Sequence, residues 1–182
     1  MSGSSLNVVY MNGILAWRYR LLYVLVVMHH ERRKIIHFNV TDAPTARWTA
    51  QQIVHAFPYD TAPKYLLRDR DAIYGSLFVQ RVKGMGIEQK LISPRSPWQN
   101  PFVERLAGSI RRECLDRAIV FNERQLRQLL QSYFEYYHKV RPHRSLWHDS
   151  PISRPVEPPE RGKVVELPLA GGLHHHYLRQ AA

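Results

Sequence analysis

Cysteine occurs once, at Cys114, which excludes an internal disulfide and a zinc site built from cysteines. That residue falls on an apolar helical stripe, so the sequence predicts a buried, inert thiol. Long hydrophobic runs are missing as well. Leu21–Met28 is apolar and follows Arg18 and Arg20, but it is too short to span a bilayer, and His29-His30-Glu31-Arg32-Arg33 follows in place of a small-residue cleavage site. It reads as a buried strand in a cytoplasmic protein with no membrane association. Acidic residues are scarce: 15 Asp+Glu stand against 26 Lys+Arg, and none precedes Glu31. The resulting net charge of +11 and pI near 10.1 favour a polyanionic partner, because each neutralised phosphate releases condensed counterions.

The 182 residues suffice for one domain with a real core. Residues 1–20 are poorly patterned, with a weak strand at 6–10 and Asn12-Gly13 as a turn. From Leu21 an antiparallel hairpin is expected, strands 21–28 and 34–40. A helix then runs to Phe57, capped by Thr41 or Asp42 with Pro44 in its first turn. A strand at 64–67, a helix at 76–83 and a strand at 87–92 follow. The loop 93–100 delivers a helix with Asn100 as N-cap and Pro101 at its first position. In the last helix, 122–138, Asn122 and Gln125 form a capping pair, and Leu126, Leu129, Leu130, Tyr133, Phe134 and Tyr137 recur at helical steps as a core stripe. Pro151, Pro155, Pro158 and Pro159 point to an irregular tail over 151–182. The order of elements predicts an α/β fold, a mixed sheet flanked by helices. The expected division is an N-terminal segment 1–20, a core 21–150 and the tail.

Two carboxylates stand out. Asp69, in Arg68-Asp69-Arg70-Asp71, closes a short apolar run, and Glu104 enters the first turn of a helix out of a loop of small, proline and amide residues. Singly, Asp69 reads as a turn-former and Glu104 as an answer to the helix dipole, worth about 0.5 kcal/mol. Together, in a basic chain, they read as ligands for a divalent ion acting on nucleic acid, since hard cations prefer carboxylate oxygens. Gly108 and Arg111 share the helix face of Glu104, at i+4 and i+7. Gly108 would let a backbone approach closely and Arg111 would point a charge at a phosphate; Arg105 and Arg112 flank them.

The sequence resembles the catalytic cores of retroviral-type integrases and insertion-sequence transposases over Leu21 to Pro155. The motifs are Arg68-Asp69-Arg70-Asp71-Ala72-Ile73-Tyr74, Pro97-Trp98-Gln99-Asn100-Pro101-Phe102-Val103-Glu104-Arg105 with Arg111, and Tyr136-Tyr137 with Arg141-Pro142-His143-Arg144-Ser145-Leu146 and Pro151. The resemblance implies a ribonuclease-H-like fold and Mg²⁺- or Mn²⁺-dependent strand transfer into DNA. Asp69 corresponds to the second family acid and Glu104 to the third, both catalytic and metal-binding. Trp98, Asn100, Arg105, Gly108, Arg111 and Arg112 become DNA-binding candidates, and Asp71 is a structural neighbour. The first family acid falls at Tyr10, with Asn12 nearby, so catalysis is expected to be impaired. A truncated or decayed copy, or a component of a larger system, would account for that departure. DNA is the expected partner, in a chain compatible with homo-oligomerisation and without a small-molecule substrate.

Other signals are weaker. His174-His175-His176 reads as an incidental run in the tail, and His29-His30 as an exposed turn. Of Trp17, Trp48, Trp98 and Trp147, Trp48 reads as core and only Trp98 as a neighbour of DNA. Two rival classes remain, a non-catalytic DNA-binding protein and a partner-binding remnant that never meets DNA.

Overall fold

A computed structural model describes residues 5–16, 20–94 and 96–181. Its centre is a five-stranded sheet in the order β3-β2-β1-β4-β5. The strands are β1 (Ser5–Ala16), β2 (Arg20–His29), β3 (Ile35–Thr41), β4 (Tyr65–Arg68) and β5 (Glu88–Leu91). β1, β2 and β3 form an antiparallel meander, whereas β4 and β5 run parallel to β1. The expected hairpin at 21–40 is therefore present. The segment before Leu21 continues that sheet, because β1 pairs with β2 on one side and β4 on the other. Asn12-Gly13 makes no turn. It lies inside β1, where the register with β2 slips between Met11 and Ile14 as a bulge.

Helices cover both faces. The alternation of β2 sends Leu22, Val24, Val26 and Met28 to one side, against α3 (Pro101–Glu113) and α4 (Glu123–Lys139). Leu25 and Val27 point the other way, against α1 (Ala46–Ala56) and α2 (Ser76–Gly84). A strand buried on both faces needs apolar residues at every position, which explains the unbroken run at 24–28. Cys114 is buried in the first of these cores, and burial pushes its thiol up to about 12.

Two expected details are replaced. Helix α1 is capped by Thr45, whose hydroxyl accepts from the Trp48 N–H at 3.2 Å, so Pro44 lies outside it. Thr41 and Asp42 are committed elsewhere: the Thr41 hydroxyl accepts from the Ala43 N–H at 3.1 Å, and Asp42 pairs with Arg20. The tail is also not irregular throughout. Beyond the prolines, β6 (Lys163–Leu169) and β7 (His174–Gln180) form an antiparallel hairpin. Its turn contains Gly171 and Gly172 at φ 69° and 86°, a conformation glycine adopts without steric cost. His174-His175-His176 therefore lies in a strand.

Candidate nucleic-acid and metal site

Asp69 follows the last residue of β4. Before it, Arg68 is only 6% exposed, its guanidinium lying 4.9 Å from the Tyr74 ring centroid and 5.4 Å from that of Phe78. Arg68 donates to Gln89 Oε1 and to the Asp69 carbonyl, both at 2.8 Å. Burial lowers its pKa, opposed by the nearby Tyr74 and Asp69. Asp69 Oδ1 accepts the Asp71 N–H at 3.1 Å, and Asp71 Oδ1 accepts the Ile73 N–H at 3.0 Å. Two successive Asx turns thus shape the segment, giving Asp71 a structural task.

The loop before α3 closes on itself: Gln99 Oε1 accepts the Ser93 N–H at 2.7 Å, and its amide donates to Ser93 Oγ at 3.2 Å. Asn100 does occupy the N-cap position, with its main-chain carbonyl accepting from Val103 and Glu104 N–H groups at 3.1 and 3.3 Å. Its side chain makes no cap bond; Asn100 is 4% exposed and its Oδ1 is buried without a hydrogen-bond partner. Its side chain is turned inward in this structure. Trp98, by contrast, is 71% exposed.

Val103, Leu106, Ser109 and Ile110 form the buried stripe of α3. Helical geometry then turns Glu104, Arg105, Arg111 and Arg112 outward, and all four are exposed. Gly108 is partly covered by a residue of its own helix: a Cβ there would meet Arg112 Nη1 at 2.9 Å. Its small size makes room for that guanidinium in this structure. At the helix entry, Phe102 sits between the His30 ring at 4.5 Å and the Arg33 guanidinium at 4.6 Å. His30, expected as an exposed turn residue, is half-buried there.

β1 and β4 are adjacent and parallel, with Asn7 opposite Leu67. Asp69 therefore follows β4 alongside the middle of β1, the strand that carries Tyr10 opposite Leu25 of β2. Asp69 and Glu104 take part in none of the ion pairs among the described residues. Nor are three histidine, cysteine, aspartate or glutamate side chains grouped there so as to hold an ion.

A half-buried ionic network is not legible in the sequence. Arg141 grips Glu113 through Nε at 2.7 Å and Nη2 at 2.6 Å, and the Tyr133 hydroxyl donates to Glu113 Oε2 at 2.9 Å. Burial would raise the Glu113 pKa, yet the Arg141 hydrogen bonds and charge leave it lowered; the same pairing raises Arg141. His174 donates from Nε2 to the Glu113 carbonyl at 2.9 Å and stacks on Tyr136 with centroids 4.0 Å apart. His143 lies edge-on to Tyr137, and burial pushes its pKa down to about 4, with Arg141 adding to the effect. The Arg141-Pro142-His143 motif thus clamps α3 to the end of α4, and His174 ties β7 to the same cluster. The signal available was a glutamate ending one helix and an arginine just beyond the next.

The comparisons with known proteins fall on this geometry. The integrase core domain family matches residues 85–151, from Met85 through Pro151. An insertion element IS476 uncharacterized 39.2 kDa protein from Xanthomonas euvesicatoria is 25% identical over 127 residues, covering 69% of this chain and 37% of that protein. The chain thus spans a little over a third of that relative. A chain of a cryo-electron microscopy structure of the simian T-cell lymphotropic virus intasome, in complex with PP2A regulatory subunit B56 gamma, superposes with a TM-score of 0.55. It is 15% identical, with 73% of this chain and 41% of that chain covered. That superposition bears on the fold alone.

Proposed function

We propose that this chain carries an integrase/transposase-type core, DNA-binding and ribonuclease-H-like, whose divalent-metal strand-transfer chemistry is impaired at its first acid. The observation supporting this reading is the parallel pairing of β1 and β4, with Asn7 opposite Leu67: Asp69 lies two residues beyond that pair on one strand and Tyr10 three beyond it on the other, while α3 packs on the same sheet. The strand order 3-2-1-4-5, with an antiparallel meander and two parallel additions, supports the ribonuclease-H-like reading.

Asp69 and Glu104 are the proposed donors to one hard cation. Asp69 spends one carboxylate oxygen on its own turn, and Glu104 is exposed in a first helical turn. Two carboxylates with water completing the shell suit Mg²⁺ or Mn²⁺, which would stabilise charge on phosphate oxygens when bound. The neutral phenol of Tyr10 is a poor replacement for the acid expected to bridge two ions. The exposed Arg105, Arg111 and Arg112, with Trp98 nearby in sequence, would engage DNA phosphates and bases. DNA is therefore the proposed partner. That outward basic face also favours a second reading, a DNA-binding protein without catalysis.

The test is Mn²⁺-dependent end processing of a labelled duplex, with folding of each variant checked by thermal unfolding. The native chain is expected to give no product above background, and Tyr10→Asp to raise product at least about tenfold. Glu104→Gln in the Tyr10→Asp background should remove that gain. Robust processing by the native chain would refute the impairment. A folded Tyr10→Asp variant without gain, and with Mn²⁺ binding unchanged by Glu104→Gln, would leave only the non-catalytic reading.

A further inference from the structure

Away from the two acids, the β6–β7 hairpin faces the segment that follows α4 across a groove of about 570 Å³. Its walls include Lys139, Trp147, Arg154, Val164, Tyr177 and Arg179. Trp147 is 94% exposed, and it and His148 both adopt left-handed backbone, at φ 55° and 65°. Consecutive non-glycine residues in that region are uncommon and collect where a ligand is clamped. Hydrogen bonds hold the turn: Trp147 N–H to the Arg144 carbonyl at 3.3 Å, His148 N–H to the His143 carbonyl at 3.0 Å, and Asp149 N–H to the Leu146 carbonyl at 3.0 Å. The backbone thus maintains an indole in water at the groove's edge, where packing gives it nothing.

The charge of the lining is asymmetric. Its acids are already engaged: Asp149 pairs with Arg32 at 2.9 Å, and Glu157 accepts the Arg179 main-chain N–H with Arg161 nearby. Arg179 donates from Nη1 to the neutral Gly162 carbonyl, which leaves its charge uncompensated, and Arg154 is in none of the ion pairs among the described residues. Lys139 is offset by Glu135. A concave surface offering two uncompensated guanidiniums, an exposed indole and the half-exposed Tyr177 ring complements a chain of phosphates bearing flat bases.

We propose that this groove binds a single strand of nucleic acid, with a base stacked on Trp147 and phosphates held by Arg154 and Arg179. The contact is separate from the Asp69/Glu104 site and does not depend on metal. A duplex keeps its base faces stacked internally, so the groove should discriminate between the two forms.

The test uses the full chain and a fluorescein-labelled oligothymidylate of about twelve nucleotides, with a duplex of mixed sequence as comparison. Because Trp147 is almost wholly exposed, Trp147→Ala should fold normally. It should weaken single-strand binding about tenfold while leaving duplex affinity unchanged. Arg154→Ala should reduce the slope of log affinity against log salt by about 0.7. Acrylamide quenching, compared between the native chain and Trp147→Phe, should show the indole shielded by the oligonucleotide. Native-like single-strand affinity in Trp147→Ala, or an indole equally accessible with oligonucleotide bound, would overturn the proposal. So would shielding seen only as the protein concentrates in the absence of oligonucleotide, since the occupant would then be a second copy. None of these readings uses a divalent ion, so repeating them in excess EDTA should leave each unchanged, and failure here is distinguishable from failure of the metal-site reading.

Discussion

Asp69 and Glu104 reach the surface by different means. Asp69 stands in a locally braced segment: the buried Arg68 guanidinium binds the Asp69 carbonyl, and successive Asx turns shape the chain beyond it. Glu104 has no such local support. Its position follows from the axis of α3, which is set by the buried stripe beneath it, by Phe102 at one end and by the Glu113–Arg141 clamp at the other. A carboxylate can thus be placed by neighbouring hydrogen bonds or by a rigid helix anchored at a distance. The family match at 85–151 covers the remotely anchored half and its clamp, while Asp69 lies outside it.

The largest effect that separates these two modes should come from the clamp and its buried histidine. Arg141→Ala leaves Glu113 half-buried and unpaired, and should cost about 2–3 kcal/mol in urea denaturation, somewhat below the range for a fully buried pair. Glu113 has a lowered folded pKa, so its contribution is complete above the unfolded value of 4.5 and is lost as pH falls through the folded value. His143 is held neutral down to about 4 against 6.5 unfolded. The unfolded chain therefore takes up the proton first, and stability should fall by about 3 kcal/mol between pH 6.5 and 4. His138, which burial also pushes down to about 4, adds to the same limb, so His143→Asn should make it shallower without abolishing it in denaturation curves recorded at stepped pH. An unchanged limb would remove His143 from the account.

Local bracing is tested by Arg68→Met, which removes two hydrogen bonds and the cation–ring contacts. It should destabilise by about 2 kcal/mol and weaken Mn²⁺ binding in a titration. Glu104→Gln should weaken Mn²⁺ binding with a stability change of no more than about 0.5 kcal/mol, as befits an exposed first-turn residue. If Arg68→Met proves as stable as the native chain, the contrast between the two acids is lost. The smallest change is expected from Gly108→Ala. Only the flexible end of Arg112 stands in the way, so the helix should gain about 0.5 kcal/mol while DNA affinity falls, as measured by anisotropy. Unaltered affinity would remove Gly108 from the DNA surface.

Much of the fold was legible because local and global signals agree. The run at 21–28, the Asn100-Pro101 helix start and the stripe from Leu126 to Tyr137 each follow from periodicity or capping chemistry and recur in the structure. The errors have identifiable causes. Asn12-Gly13 resembles a hairpin turn, but pairing on both sides of β1 holds it within a strand as a bulge. The prolines from Pro151 to Pro159, with Pro168 inside the strand itself, hid the hairpin beyond them, although Val164-Val165 favours a strand and Gly171-Gly172 supplies its turn. Asn100 is legible as a cap position, but its depth is not, because burial depends on what packs over it.

By itself the sequence determined the strand and helix alternation, the basic balance, and the two acids with the arginines around one of them. These rest on interactions spanning a few residues, where spacing alone sets which side chains share a face. Only the tertiary structure decided that β4 lies beside β1, that Arg141 grips Glu113, and that Trp147 stands over a groove closed by the final hairpin. Each of those joins parts far apart along the chain, and such contacts depend on how whole elements pack, which no local pattern records.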